Sequence, residues 1–195
     1  MRKLSWLVHL SLDGFISGPN GELDWAGASM DDELWKHITE LLADVDTALF
    51  GRVTYQDFEN YWPAAGRNPN SDQNEINFAR WIDETPKIVA SRTLNRPDRS
   101  NLAWRNSTVL SGNLLEDVSK LKKKSGRNLL LFGSPGLASE LLQANLIDEL
   151  RIDLHPILLG AGRPLLKDGN PRLDLRLRQA VMFRSGVVGL TYVRC

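Results

Sequence analysis

The chain has 195 residues, 42% of them hydrophobic and 25% charged, which is ample for one packed core and excludes both a disordered and a fibrous composition. Lys plus Arg and Asp plus Glu balance at 24 each, so no net field draws the molecule toward nucleic acid or a membrane surface, and any anion site must come from local geometry. The one cysteine, Cys195, rules out an intrachain disulfide and a cysteine-based metal centre.

The first predicted element is a strand over Leu4 to Leu10, with Leu4, Trp6, Val8 and Leu10 on one face and Ser5, Leu7 and His9 on the other. Ser5, His9 and Ser11 break this apolar stretch too early for a signal peptide, and the longest apolar run, Leu129 to Phe132, is far below the roughly 20 residues that cross a bilayer. A cytoplasmic protein is expected. A turn-rich loop, Ser17-Gly18-Pro19-Asn20-Gly21, precedes a helix with Asp31 as N-cap and an apolar stripe of Leu34, Ile38, Leu41 and Leu42. A strand at Thr47 to Phe50 follows, then a short helix over Val53 to Asn60, a loop over Ala64 to Asn74 and a helix over Glu75 to Ile82.

Strands at Lys87 to Ser91 and Ser107 to Leu110 flank a polar loop, and a helix over Leu114 to Lys124 ends near Gly126. Then come a strand at Leu129 to Phe132, a helix at Leu137 to Asn145 and a strand at Glu149 to Pro156. Arg178 to Phe183 and Val187 to Arg194 form a strand pair around Ser185-Gly186, an antiparallel hairpin closing the sheet. The alternation of strands and helices predicts an α/β fold with a mainly parallel sheet, and no repeat or linker divides residues 1–195, so a single domain is expected.

Three strand ends carry anion-binding chemistry. At Gly133-Ser134-Pro135-Gly136-Leu137 a strand feeds straight into a helix, with Ser134 placed to cap it, Pro135 suited to its first turn, and glycines that let a ligand approach the backbone. An ordinary tight turn has the same residues, so this segment alone leaves both readings open. Gly51-Arg52-Val53-Thr54 repeats the strand–glycine–helix pattern with a guanidinium and a hydroxyl, and Ser91-Arg92-Thr93 ends a third strand. All three lie at strand carboxyl ends, where an open α/β sheet binds ligands, so a compound with several phosphates would engage them together. Beside them, the loop after the first strand offers Asp13, Glu22 and Asp24 next to Phe15 and Trp25. A carboxylate sheltered by aromatics has a raised pKa and can handle protons, whereas a turn aspartate before Gly14 is the alternative for Asp13 and a capping or solvated one for Asp24. His9, His37 and His155 lack metal-ligand spacing, and His155 alternates with Arg151 and Asp153 on the polar side of its strand, a face that fits a cleft lining or a subunit contact and fits a solvated or structurally paired face better.

Ser11-Leu12-Asp13-Gly14, Phe50-Gly51-Arg52-Val53-Thr54-Tyr55, Ser91-Arg92-Thr93-Leu94, Phe132-Gly133-Ser134-Pro135-Gly136-Leu137, Leu146-Ile147-Asp148-Glu149-Leu150 and Pro156-Ile157-Leu158-Leu159-Gly160-Ala161-Gly162 occur in this order. The ordered set resembles the riboflavin-biosynthesis reductase C-terminal domain family, in its stand-alone bacterial form. The resemblance implies a dihydrofolate-reductase-like three-layer α/β/α fold and an NADPH-dependent reductase of a small heteroaromatic, pyrimidine- or pterin-like substrate, like the 5-amino-6-(5-phosphoribosylamino)uracil reductase domain. It implies Gly51, Arg52, Thr54, Ser91, Arg92, Gly133, Ser134, Pro135, Gly136 and Leu137 around the cofactor, with Arg92 at the 2′-phosphate. Asp13 is implied as the catalytic residue, Phe15, Asp24 and Trp25 line the substrate cleft, and no metal is expected. A homodimer is implied too, using the Glu149 to Pro156 strand. One departure stands out: members of the riboflavin pathway carry a glutamate just before the glycine turn, where this chain has Phe132, which cannot serve as an acid or a base. The alternatives are a non-enzymatic nucleotide- or flavin-binding homodimer that retains the cleft, and direct use of FMN.

Overall fold

The computed structural model describes residues 1–91, 94, 102, 104–110, 112–166 and 172–195. In chain order the strands are β1 (Leu4–Ser11), β2 (Phe15–Ser17), β3 (Val45–Gly51), β4 (Lys87–Ala90), β5 (Ser107–Leu110), β6 (Asn128–Phe132), β7 (Glu149–His155), β8 (Arg163–Pro164), β9 (Leu175–Met182) and β10 (Val188–Arg194). The helices are α1 (Asp24–Gly27), α2 (Asp32–Ala43), α3 (Arg52–Ala65), α4 (Gln73–Glu84), α5 (Leu114–Lys123) and α6 (Pro135–Gln143). Eight strands form one sheet in the order β5-β4-β3-β6-β1-β7-β10-β9. The first six run parallel, and β10 pairs antiparallel with both β7 and β9. The expected mainly parallel sheet with a C-terminal antiparallel hairpin is therefore present.

The two-residue period of β1 explains how the sheet is sandwiched. Leu4, Trp6 and Val8 point to one face and join Val118 of α5 and Leu137, Ala138 and Leu141 of α6. Leu7 points to the other face, where Leu34, Trp35, Ile38 and Leu42 of α2, Tyr55 of α3 and Phe78 and Ile82 of α4 pack. A fully buried side chain of this size contributes about 1.5–3 kcal/mol, so the two layers hold the central strands from both sides. The Asp31 cap is realised, its carboxylate accepting from the Leu34 amide at 2.8 Å. Its other oxygen accepts from Ser185 in the β9–β10 turn at 2.7 Å, and Glu33 accepts from the Arg184 amide at 3.1 Å, so the start of α2 is fastened to the hairpin.

One expectation is corrected here. The helix predicted over Val53 to Asn60 extends over Arg52–Ala65 with Pro63 inside it, and takes in the start of the segment expected to be a loop. The Glu149 to Pro156 strand, expected at the dimer contact, is an inner strand hydrogen-bonded to β1 and β10 on its two sides. The free edge on that side of the sheet belongs to β9, whose residues are nearly all exposed, including Leu175, Leu177 and Met182.

Candidate functional site

The chain leaves β3 for α3 on one face of the sheet and leaves β6 for α6 on the other, although β3 and β6 are adjacent. Diverging connections at the carboxyl ends of neighbouring strands open a crevice between them. At its base the Gly51 amide donates to the Ser134 hydroxyl at 2.9 Å, which brings the starts of α3 and α6 together. Ser134 stands at the N-cap position of α6 with a left-handed backbone (φ 55°), but its hydroxyl is committed to Gly51 and does not cap the helix as expected from the sequence. Gly51 at the start of α3 supplies no side-chain cap either. First-turn amides of both helices thus lack a side-chain cap, and the two helix starts meet at the Gly51–Ser134 hydrogen bond, a kind of place that favours an anion.

The glycines fit this use. Gly133 has φ +46°, and its carbonyl is fixed by the Trp6 indole at 2.6 Å. A side chain at Gly136 would meet nothing within 4 Å, so the backbone there is open to a ligand. Thr54 reaches across from α3, its side chain 3.5 Å from where a Cβ on Gly133 would stand. Arg52 is exposed at the same helix start and donates to Gln56 at 2.9 Å. Pro135 occupies the first turn of α6 as expected, and Leu137 buries its side chain in the α6 layer, which leaves only its backbone for a ligand. Ser91 follows the end of β4 and accepts from the Leu94 amide at 3.1 Å. Arg92, with Thr93, lies outside the described residues. A phosphate-bearing dinucleotide fits the described part of this set: free amides, open glycines and hydroxyls along one crevice.

Phe132 turns away from any ionic role. It is 5% exposed, stacked on Phe50 with centroids 5.4 Å apart at 12°, and flanked by Phe58 at 5.3 Å. An acidic side chain here would be buried among these rings without a partner, at a cost of several kcal/mol.

The loop after β1 is tied down rather than free. Asp13 accepts from the Ser11 hydroxyl at 2.6 Å, the Leu159 amide at 3.1 Å and the Gly160 amide at 2.7 Å. The Leu12 amide donates to the Ile157 carbonyl, and a short ribbon joins β2 to β8. The raised pKa expected for Asp13 is reversed. The Ser11 hydroxyl first, then the Gly160 and Leu159 amides, hold its carboxyl below the usual carboxylate range. Asp13 is thus an ionised brace between the loop after β1 and the segment after β7. Glu22 is likewise held low by its own backbone amide and by Asn20, and braces the turn at Gly18. Phe15 is half-buried in β2, and Asp24 opens the single turn of α1, exposed. Trp25 is buried, its ring meeting His155 edge-on at 5.2 Å.

From the sequence, His155 fits a solvated or structurally paired face better than a cleft lining or subunit contact, and it is not among the expected site residues. The β1–β7 register sets His9 opposite Asp153 and Ser11 opposite His155. His9 Nδ1 is 2.9 Å from His155 Nε2 and 3.7 Å from Asp153 Oδ2. Burial pushes the Asp153 carboxyl up to about 6 and the His155 imidazole down to about 3, with His9 lowered for the same reason. The available signal was the polar series Glu149, Arg151, Asp153 and His155 at every second position of β7, together with His9 and Ser11 near the end of β1.

These features define the class: a dihydrofolate-reductase-like α/β/α fold. The RibD C-terminal domain profile matches residues 2–188, and the chain belongs to that family. It is 35% identical over 191 residues to the uncharacterised protein YyaP of Bacillus subtilis (strain 168), covering 98% of this chain and 94% of that one. A provisionally assigned riboflavin biosynthesis protein of Shewanella sp. PV-4 superposes with a TM-score of 0.74 at 23% identity over 99% of both chains. The Enterococcus faecalis dihydrofolate reductase, complexed with NADP(H), superposes with a TM-score of 0.60 at 15% identity, over 98% of this chain and 96% of that one. No helix among the described residues is long and apolar enough to cross a membrane.

Proposed function

We propose that the protein is an NADPH-dependent reductase of a small heteroaromatic, pyrimidine- or pterin-like substrate, working in the cytoplasm as one domain. The observation that carries this reading is the Gly51–Ser134 hydrogen bond, which joins two uncapped helix starts into one phosphate cradle. Membership of the RibD C-terminal domain family and the likeness to an NADP(H)-complexed reductase support it. Bound NADPH would supply a hydride. The chain's part is to grip the phosphates at residues 51–54 and 133–137, and to place Arg92, beside Ser91, at the 2′-phosphate. Titration with NADPH, followed by calorimetry, should give saturable binding; none at millimolar concentration would sink the reading. Arg92→Ala should weaken NADPH far more than NADH, as expected of a guanidinium facing a phosphate.

Phe132, buried in an aromatic stack where pathway members carry a glutamate, favours a second reading: a nucleotide- or flavin-binding protein without chemistry. NADPH binding with no oxidation across pterins, flavins, quinones and aminopyrimidines would select it, and a yellow purified protein would point to FMN.

The largely exposed β9, with Leu175, Leu177 and Met182 open to water, supports a homodimer built on the outer strands. Light scattering should return twice the 21.9 kDa chain mass, and Leu177→Glu should halve it. A wild-type monomer at micromolar concentration refutes the dimer.

A further inference from the structure

We propose that a polar cavity at the opposite end of the sheet from the crevice is a second ligand site, built for a small zwitterion with an acidic group at one end and an ammonium at the other.

The cavity has a volume of about 340 Å³, within the range of small-molecule sites, and lies between α2 and one face of β1, β7, β10 and β9. Val45 and Asn128, the first residues of β3 and β6, line it, whereas Gly51 and Gly133 lie at the far ends of the same strands. The run from Val45 to Gly51 spans about 20 Å of strand. The cavity and the crevice share no residue, so this site stands whether or not NADPH binds.

The pleat and one irregularity explain why charged side chains meet here. Glu149 and Arg151 pair with Ser5 and Leu7, and Thr191 pairs with Arg151, on the face where Leu7 meets α2. Arg178 and Gln179 are neighbours in β9, and neighbours in a regular strand point to opposite faces, yet both line the cavity. A slip in register is the reason. Gln179 pairs with Thr191 and Leu177 with Tyr192, so Arg178 is the extra residue of a bulge and turns to the same face.

The two walls carry opposite excess charge. On the sheet side the Glu149 carboxylate, 5% exposed, accepts from Lys3 at 3.0 Å, Arg151 at 2.9 Å and Arg178 at 2.7 Å. One carboxylate offsets one of three cations, and their N–H groups outnumber what it can accept. Arg151 Nε is buried with no partner among the described residues. This wall lacks an anionic acceptor. On the other side His37, Glu40 and Asp44 recur every three to four residues along α2 and its C-cap. Glu40 and Asp44 are exposed, and neither joins an ion pair among the described residues. A lone anion would meet these carboxylates and a lone cation would meet the guanidinium groups. A molecule carrying both charges complements both walls. An amino acid and an aminoalkyl phosphate share that chemistry.

Amide NMR spectra of the whole chain test the site by titration with γ-aminobutyrate, ε-aminocaproate and O-phosphoethanolamine. Butyrate, ethyl phosphate and butylamine are the singly functional controls. At least one zwitterion should saturate, about tenfold or more tighter than its controls. It should shift the amides of Arg151, Gln179 and Thr191 and leave those of Gly51, Gly133 and Gly136 in place. The better of the carboxylate and phosphate arms then identifies the acidic group. Arg151→Gln should abolish saturation, with a melting curve to show that it folds. Arg178→Gln alters a side chain that is 55% exposed, so it keeps the test sound if Arg151→Gln unfolds, and should weaken binding about tenfold. Glu40→Gln with Asp44→Asn should reduce the zwitterion to the affinity of its anionic control. No saturation at about 10 mM, controls that bind equally well, or an unchanged Arg178→Gln would each overturn the proposal. So would shifts confined to the crevice glycines.

Discussion

Replacing Lys87 with methionine should lower the stability of the protein by about 3–5 kcal/mol, one of the largest single-residue effects in the fold. Lys87 opens β4 and is 0% exposed. Its ammonium donates to the carbonyls of Ile82 at 2.7 Å, Thr85 at 2.9 Å and Asp83 at 3.1 Å, and lies 4.4 Å from the centre of the Trp104 ring. These carbonyls belong to the end of α4 and the residue after it, groups that no backbone amide satisfies. Methionine keeps the length of the side chain and removes all three donors, leaving the buried Ile82 and Thr85 carbonyls dry at about 1–3 kcal/mol each, while Asp83 keeps the Asn106 side-chain amide at 3.4 Å. Burial pushes the ammonium down to about 8, still high enough to keep it charged at neutral pH. Urea denaturation followed by circular dichroism measures the loss, and a melting temperature lowered by roughly 10 °C should accompany it. A change below about 1 kcal/mol would mean that water replaces the ammonium.

Gly133→Val should cost at least about 100-fold in NADPH affinity, equivalent to about 2.7 kcal/mol. At φ +46° a branched side chain incurs about 1–2 kcal/mol of backbone strain. Its γ-carbons would also press on Thr54, since a bare Cβ already stands 3.5 Å from that side chain. The turn can relieve this only by shifting Ser134, and with it the hydroxyl that holds Gly51. Gly133→Asn is the control: asparagine tolerates the left-handed region, so it should retain more binding than valine. Equal affinities for wild type and Gly133→Val would remove the turn from the phosphate site.

Much of the frame was legible because strand periodicity and turn chemistry are local. The alternation in β1, the Asp31 cap and the hairpin turn at Ser185-Gly186 all stand as expected, with Gly186 at φ +84°. The β2–β8 ribbon escaped notice because strands of three and two residues carry no period. Lys87 reads as an ordinary polar strand residue, and only the end of α4 arriving above it makes it interior. The His9–His155 contact joins residues 146 positions apart, and needed the parallel register of β1 on β7. Ser134 was legible as a cap by its position; its actual acceptance from Gly51 depends on β3 and β6 being neighbours, which strand signals alone do not reveal.

That one bond between Gly51 and Ser134 also changes how losses in the cleft should be counted. The starts of α3 and α6 sit on opposite layers, yet each is held in place by the other. Damage to either start therefore disarms both, so the penalties of paired substitutions at Gly51 and Ser134 would sum to less than their separate values. Energetically the two helix starts form one jaw rather than two hands.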